Sequence, residues 1–182
     1  SLQAGDGFGT SMSSCDDFLV AIGAPGDDTA GTSHGAVYLL TFRSNGTALL
    51  HSKISTDASK GLLLQDNDNF GTAVAFLGDV NGDGTIELAA SALYDDSGGT
   101  DRGAVYLVSV TRKGRFVMVL GKIASRIGGG PALQDHDDFG ISISVLPGTL
   151  SNPNQLAIGA YNDDTGGSNF GAVYVMPLGD FA

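Results

Sequence analysis

The sequence is poor in cysteine, tryptophan and proline, and it contains no long apolar run. Its 182 residues include one cysteine, five prolines and no tryptophan. Because Cys15 is alone, an internal disulfide and a thiolate metal cluster are both excluded, and cysteine usage does not indicate a redox compartment. The longest apolar stretches, such as residues 116–120, are far shorter than the ~20 residues of a membrane helix. We therefore expect no membrane insertion.

Positive charge is also scarce. Lysine and arginine number 9 against 20 aspartates and glutamates, which gives a formal net charge of -11 and an isoelectric point near 4.3. Such a chain repels phosphate backbones and anionic lipid head groups, so nucleic acid and membrane surfaces are not expected partners. No basic-then-apolar leader opens the sequence, and we expect an already processed or excised piece.

Glycine and apolar residues, in contrast, are plentiful. The chain has 28 glycines, and 42% of its residues are hydrophobic. This apolar content is enough to bury a core without disulfides, and the glycines suit tight turns and close backbone packing. The glycines follow no strict three-residue period, which excludes collagen.

The sequence repeats one unit three times. The run Gly-Ala-Val-Tyr begins at Gly35, Gly103 and Gly171, so two successive steps are 68 residues long. A second landmark, Leu-Gln followed by acidic residues and Phe-Gly, recurs ahead of it in each unit. A fixed period of this length indicates a repeat architecture. We divide the chain into repeat 1 (1–63), repeat 2 (64–132) and repeat 3 (133–182).

A complete repeat is predicted to contain four short antiparallel strands. In repeat 2 they are residues 71–77, 87–93, 104–110 and 116–123, each rich in Val, Ala, Leu, Phe or Tyr and bounded by Gly, Asp or Ser. The segments Ser44-Asn45-Gly46 and Arg112-Lys113-Gly114 are predicted hairpin turns.

Four such strands in about 70 residues are typical of a β-propeller blade, with a β-sandwich as the alternative. The predicted fold is all-β, with tandem four-stranded antiparallel blades. At about 2.7 repeats the propeller ring is incomplete, and repeat 3 lacks its last strand. We therefore expect self-association or membership of a longer chain.

These motifs resemble the FG-GAP repeat of integrin α-subunit propellers and related proteins, and the resemblance covers the whole chain. It implies a β-propeller fold, but it is unspecific for function, because the repeat occurs in receptors, surface proteins, lectin-like chains and enzyme appendages. The first motif corresponds to Phe8-Gly9, Phe70-Gly71 and Phe139-Gly140, and the second to Gly23-Ala24-Pro25 and its degenerate copies Ser91-Ala92-Leu93 and Gly159-Ala160-Tyr161.

Repeat 2 contains one segment, residues 77–87, with oxygen-bearing side chains at alternate positions and glycines between them. Ca²⁺ takes six to eight oxygen ligands, which such a loop can supply by wrapping round the ion. The predicted ligands are Asp79, Asn81, Asp83, the Thr85 carbonyl and Glu87. In the resembling family the positions of Asn81 and Glu87 more often carry Asp, and both residues remain oxygen donors.

This segment has two alternatives to a calcium loop, an ordinary turn and an EF-hand. Asp-Gly and Asn-Gly are ordinary turn pairs that need no metal. An EF-hand requires a bidentate Glu at position 90, which is Ala90, so the EF-hand interpretation fails. The matching loop of repeat 3, residues 147–155, has no carboxylate, and repeat 1 has only Asp16 and Asp17. We expect one calcium site.

Catalytic patterns are weak, and the chain is predicted not to be an enzyme. The three histidines occupy non-equivalent places, and no phosphate-binding glycine loop is present. The pairs Asp27-Asp28, Asp95-Asp96 and Asp163-Asp164 recur in every repeat, which favours a structural or surface role over a unique acid and base.

The sequence therefore predicts a calcium-binding recognition or adhesion module of an extracellular or cell-surface protein, in which the metal is structural and the ligand is a protein or glycan. The alternative is a glycan-binding lectin or an accessory propeller of a polysaccharide-degrading enzyme. If the strands alternate in direction, 13 of the 20 acidic residues lie on one face. This acidic face is a candidate surface for basic or cation-bridged partners.

Overall fold

The fold consists of short antiparallel strands joined by glycine-rich turns. The computed structural model describes residues 2–15, 19–148 and 154–178. Within these ranges the only helical segment is one 3₁₀ turn at Ala58–Lys60. The strands are β1 (Met12–Ser14), β2 (Leu19–Ala24), β3 (Ala36–Phe42), β4 (Ala48–Ile54), β5 (Phe70–Gly78), β6 (Ile86–Ala92), β7 (Ala104–Val110), β8 (Phe116–Ala124), β9 (Phe139–Leu146), β10 (Gln155–Ala160) and β11 (Ala172–Pro177).

The strands form three sheets, each ordered as the chain runs. The first sheet is β1-β2-β3-β4, the second is β5-β6-β7-β8, and the third contains β9-β10-β11 in the described residues. All neighbouring strands pair antiparallel. The predicted fold class is confirmed: the chain is all-β and built of blade-like antiparallel sheets in an open arrangement.

The local predictions for repeat 2 agree closely with β5 to β8. The predicted strands differ from the observed ones by at most one residue at either end. The two predicted hairpins are confirmed, because Gly46 and Gly114 have φ values of 79° and 70°. Thr47 O and Arg115 O close these turns by accepting hydrogen bonds of 2.9 Å across them.

The core lies between the faces of neighbouring sheets. Val37 and Leu39 of β3 pack in one apolar cluster with Phe70 of β5, and all three side chains are fully buried. Val105 and Leu107 of β7 pack in the next cluster with Phe139 of β9. The same two positions of the third strand therefore join each sheet to the one that follows it, as in a propeller.

The third sheet has no following sheet among the described residues, and its matching positions are open. Val173 and Val175 of β11 are 69% and 50% exposed, whereas their equivalents Val105 and Leu107 are 0% and 1% exposed. An exposed apolar sheet face of this kind marks an interaction surface. Self-association or membership of a longer chain remains a prediction.

The repeated glycine of Gly-Ala-Val-Tyr is explained by the contact between sheets. Gly35 has a φ of 80° and forms a bridge with Phe70, whose N–H donates to His34 O at 3.0 Å. A Cβ atom on Gly35 would lie 2.2 Å from Phe70 O. The backbone of the second sheet thus occupies the space that any larger residue would need.

Candidate metal centre

The predicted metal loop joins β5 to β6 at one end of the second sheet. Gly78, Gly82 and Gly84 have φ values of 81°, 75° and 89°, so the chain bends at alternate positions of this segment. No neighbouring atom lies within 4 Å of where a Cβ on these glycines would be. Backbone conformation, and not crowding, therefore requires glycine here.

Asp79 begins the loop and has one unsatisfied oxygen. Its Oδ2 accepts a hydrogen bond of 3.0 Å from the N–H of Gly84 across the loop, and the guanidinium of Arg112 lies 3.6 Å from the same oxygen. Its Oδ1 is buried and has no hydrogen-bond partner. A buried carboxylate oxygen without a donor is costly, so it is a position where a cation would stabilise the fold.

Asn81, Asp83 and Thr85 form the outer part of the loop. Asn81 Oδ1 accepts from the N–H of Asp83 at 3.0 Å, and Asp83 Oδ1 accepts from the N–H of Thr85 at 2.7 Å. Hydrogen bonds from the side chain and backbone of Thr85 lower the pKa of the exposed Asp83 carboxyl. The carboxylate form, which is the form that binds a cation, is therefore favoured at this position.

Glu87 closes the loop from inside β6 and is only 2% exposed. Its Oε2 accepts from the N–H of Val80 at 2.9 Å, and its Oε1 lies 3.2 Å from the hydroxyl of Thr85. That hydroxyl also lies 2.6 Å from Asp83 Oδ1 and accepts from Ser109 at 2.7 Å. Thr85 thus links the two carboxylates through its side chain, a role that the sequence pattern did not predict.

The predicted ligands therefore share one loop, but their oxygens are turned partly toward the loop's own donors. Among the described residues, no group of three or more Asp, Glu, His or Cys side chains is arranged to hold a metal ion. The donor set nevertheless fits Ca²⁺ in kind, since it consists of oxygens, and the partnerless Asp79 Oδ1 supplies a position for a cation. Asp16 and Asp17 of repeat 1 and residues 149–153 of repeat 3 lie outside the described residues.

The first aspartate of each recurring Asp-Asp pair is buried in the loop that follows the second strand of its sheet. Tyr38 donates to Asp27 at 2.7 Å, and Lys53 donates to the same carboxylate at 2.6 Å. Burial alone would raise the pKa of Asp27, but the hydrogen bonds from Lys53 and Tyr38 outweigh it and lower the pKa to about 2. The second sheet repeats the arrangement with Tyr106, Asp95 and Lys122.

The loops at the opposite end of the sheets meet one another, and most of their repeated acids are engaged. The N–H of Thr32 donates to Asp66 at 2.9 Å between the first and second sheets, and the N–H of Thr100 donates to Asp135 at 3.1 Å between the second and third. The buried acids of this end are Asp6, Asp27, Asp68, Asp95, Asp137, Asp138 and Asp163. Many acidic residues of the predicted acidic face are therefore buried and accept hydrogen bonds within the loops, which reduces the charge available to a partner.

Comparison with protein families gives two matches. The FG-GAP repeat family matches residues 2–40, which run from before β1 into β3, and residues 70–108, which run from β5 into β7. The chain contains FG-GAP repeats. The FG-GAP repeats account for the Phe-Gly that opens the matched part of repeat 2 and for the Gly-Ala-Val-Tyr of the third strand in both matches. No curated protein matches the chain.

FG-GAP repeats share several general properties. They are found in integrin-like adhesion and recognition modules, they mediate protein interactions, and they occur mostly in extracellular or cell-surface proteins. The family is typically non-catalytic. In the part of the chain that the structure describes, no helix has the length and apolar character to cross a membrane.

Proposed function

We propose that this FG-GAP chain is part of an extracellular or cell-surface recognition module, and that its β5–β6 loop binds Ca²⁺ in a structural role. The observation that supports the calcium part best is the buried Asp79 Oδ1, which has no hydrogen-bond donor. The family supports the recognition part, because FG-GAP repeats are found in adhesion and recognition modules.

The charge of the loop supports binding of a divalent cation. Asp79, Asp83 and Glu87 bring three carboxylates into a loop of nine residues, and Glu87 is almost fully buried. Carboxylates held this close together repel one another when no cation is present. Bound Ca²⁺ would supply the neutralising charge, with Asp79, Asn81, Asp83, the Thr85 carbonyl and Glu87 as its proposed oxygen ligands.

The position of the loop supports a structural role over a chemical one. The loop joins the end of β5 to the start of β6, and β5 packs against sheets on both sides. Tightening this connection would therefore stabilise the strand pair on which both neighbouring sheets rest. A ligand that binds only the folded state stabilises it by about 2.7 kcal/mol at one hundred times its dissociation constant.

Thermal unfolding with and without calcium tests the metal assignment. We expect Ca²⁺ to raise the unfolding midpoint of the wild type and to have little effect on Asp83→Ala or Asp79→Asn. The matched control is Asp96→Asn in the same sheet, because Asp96 is exposed and Asn can still accept the N–H of Asp101. An unchanged wild-type midpoint would identify the loop as an ordinary turn.

The recognition part needs a separate measurement. A pull-down from extracellular protein and a glycan array, each run with calcium and with a chelator, distinguish a protein ligand from a glycan ligand. A polysaccharide cleavage assay on the same protein tests the enzyme-associated alternative. Cleavage activity, or the absence of specific binding in both screens, would contradict the proposed recognition function.

A further inference from the structure

A cavity of about 520 Å³ lies between the outer strands of the first and second sheets, and its lining residues include none from the metal loop. Residues His51, Ser52 and Lys53 of β4 line one side. Arg115, in the turn before β8, and Phe116, the first residue of β8, line the other. We call this cavity the hairpin pocket, because the β7–β8 hairpin forms its second wall. Its volume is within the range of small-molecule sites.

The charge of the hairpin pocket is opposite to that of the chain. Lys53, Lys60, Arg115 and His51 all line it, and none of its lining residues is acidic. The whole chain carries only 9 lysines and arginines against 20 acids. A concentration of basic groups in so acidic a protein creates a local site for anions.

Two of these basic side chains, Lys60 and Arg115, are available to bind an anionic ligand. The ammonium of Lys53 is already engaged by the buried Asp27 at 2.6 Å. Lys60 pairs only with the partly exposed Asp57 at 3.3 Å, and such a surface pair is weak. Within the described residues, no carboxylate forms an ion pair with Arg115. Lys60 and Arg115 are therefore the groups that an anion would contact.

The wall that carries Arg115 is held firmly in place. Ser52 donates its hydroxyl hydrogen to Gly114 O at 2.6 Å, which ties the hairpin to β4 of the neighbouring sheet. The N–H of Arg115 donates to the hydroxyl of Thr111 at 3.1 Å. A Cβ atom on Gly114 would lie 2.9 Å from the Cβ of His51, so the two walls are in close contact. A site with fixed walls loses little entropy on binding.

The hairpin pocket also has an apolar surface beside its charges. The ring of Phe116 is buried, and the ammonium of Lys60 lies 4.8 Å from the centre of that ring. Val117 on the same strand is 38% exposed and lines the pocket too. The combination favours a ligand that has an organic body in addition to its negative charge, and the volume exceeds what a bare inorganic ion fills.

We propose that the hairpin pocket binds an organic anion through a sulfate, phosphate or carboxylate group. Arg115 contacts the oxyanion through its planar guanidinium, Lys60 adds a second charged donor, and Phe116 and Val117 contact the ligand body. The site shares no residue with the calcium loop and needs no metal.

Calorimetric titration tests the proposal with three probes: sulfate, inorganic phosphate and glucuronate. The titrations are run in metal-free buffer with the ionic strength held constant by chloride. We expect saturable binding of at least one probe, and we expect Arg115→Gln and Lys60→Gln each to weaken it by roughly tenfold, the value of one charge-assisted hydrogen bond. Comparison of the three probes distinguishes the sources of the oxyanion.

The control is Arg43→Gln, which removes the same charge from the matching hairpin of the first sheet and does not line the pocket. Arg43→Gln leaves the affinity unchanged if the pocket is the site. Equal weakening by Arg43→Gln would indicate general charge screening and overturn the proposal, as would the absence of saturable binding for all three probes. Circular dichroism checks that each variant is folded, and calcium titration of Arg115→Gln keeps this test separate from that of the metal loop.

Discussion

The carbonyl oxygen of Phe139 lies against Gly103 so closely that a Cβ atom on Gly103 would be 2.1 Å from it. Phe139 begins the third sheet, and Gly103 precedes the third strand of the second sheet. Gly171 occupies the same place in the third sheet with a similar φ, 72° against 80°, but the atom nearest to its Cβ position is 3.0 Å away. Substitution at Gly171 would therefore report mainly the backbone strain of a positive φ, whereas substitution at Gly103 would report that strain and the contact between sheets.

We predict that Gly103→Ala destabilises the protein more than Gly171→Ala. Both substitutions place a side chain at positive φ, which costs roughly 1 kcal/mol. Gly103→Ala also forces the second and third sheets apart, at a further cost of roughly 1–3 kcal/mol. Urea unfolding measures both values, and equal losses of stability would show that the close approach of Phe139 is unimportant.

The charge of the buried Asp95 carboxylate is compensated by one lysine, Lys122. Asp95 is almost fully buried, and its Oδ2 accepts from Lys122 at 2.6 Å and from Tyr106 at 2.9 Å. Burial raises the pKa of Asp95, but the Lys122 charge and the hydrogen bonds to the carboxylate outweigh burial and lower it overall. We predict that Lys122→Met costs about 2–4 kcal/mol of unfolding free energy, because it leaves the carboxylate without its ion pair.

The control for Lys122→Met is Lys113→Met, which removes the same charge from an exposed turn. Chemical denaturation of both variants is the measurement. The Asp95 pKa, followed by NMR, should rise in Lys122→Met alone. A loss of stability no greater than that of Lys113→Met would contradict the prediction.

Asp68 is expected to make stability fall as the pH rises. Burial raises the pKa of Asp68 to about 6; the N–H of Gln65 opposes this shift and the Asp95 charge adds to it. A carboxyl group whose pKa is raised above its ordinary 3.8 binds its proton more tightly in the folded state. Its contribution is therefore full below pH 3.8 and is lost as the pH rises through 6.

We predict that Asp68→Asn gains stability relative to the wild type between about pH 4 and about pH 7, by on the order of 1 kcal/mol. Asn keeps an oxygen to accept the N–H of Gln65, so the loop is preserved. Asp28→Asn is the control, since Asp28 is exposed and its acceptor role also survives. A pH-independent difference between Asp68→Asn and the wild type would rule out this titration.

The second and third sheets place one hydroxyl at a shared position, but on different strands. In the third sheet, Ser142 of β9 lies opposite Gly159 of β10. In the second sheet, the corresponding residues are Ala73 of β5 and Ser91 of β6, whose hydroxyl accepts the N–H of Ala73 at 2.8 Å. A Cβ atom on Gly159 would lie 2.5 Å from the Ser142 hydroxyl oxygen. The serine therefore lies on the second strand of the second sheet but on the first strand of the third sheet, and in both sheets the residue opposite it is small.

We predict that Gly159→Ser destabilises the third sheet and that Ser142→Ala restores part of the loss. The double variant reproduces the arrangement of the second sheet, and we expect a coupling energy of roughly 1–2 kcal/mol between the two positions. A double-mutant cycle by urea unfolding gives this energy. Additive effects would show that the two side chains do not compete for the same space.

Much of the architecture follows from the sequence because it depends on neighbours along the chain. In repeat 2, apolar runs that form strands alternate with turns that contain glycine. Gly46 and Gly114 adopt the positive φ that their hairpins require. The 68-residue period then predicts that the sheets share one design. The same local reasoning predicts the metal loop, because its oxygen-bearing residues stand two positions apart, and this assignment stays a prediction.

The tertiary structure alone decides which polar groups are buried and what they contact. The recurring aspartates looked equivalent in sequence, yet Asp27 and Asp95 are internal acceptors for a tyrosine and a lysine, whereas Asp28 and Asp96 stay exposed. The hairpin pocket joins His51 to Arg115, 64 positions apart. Strand formation depends on short-range geometry, so a local sequence pattern predicts it. Charge environment, burial and cavity shape depend on contacts between segments that are distant in sequence, and a local pattern does not predict those contacts.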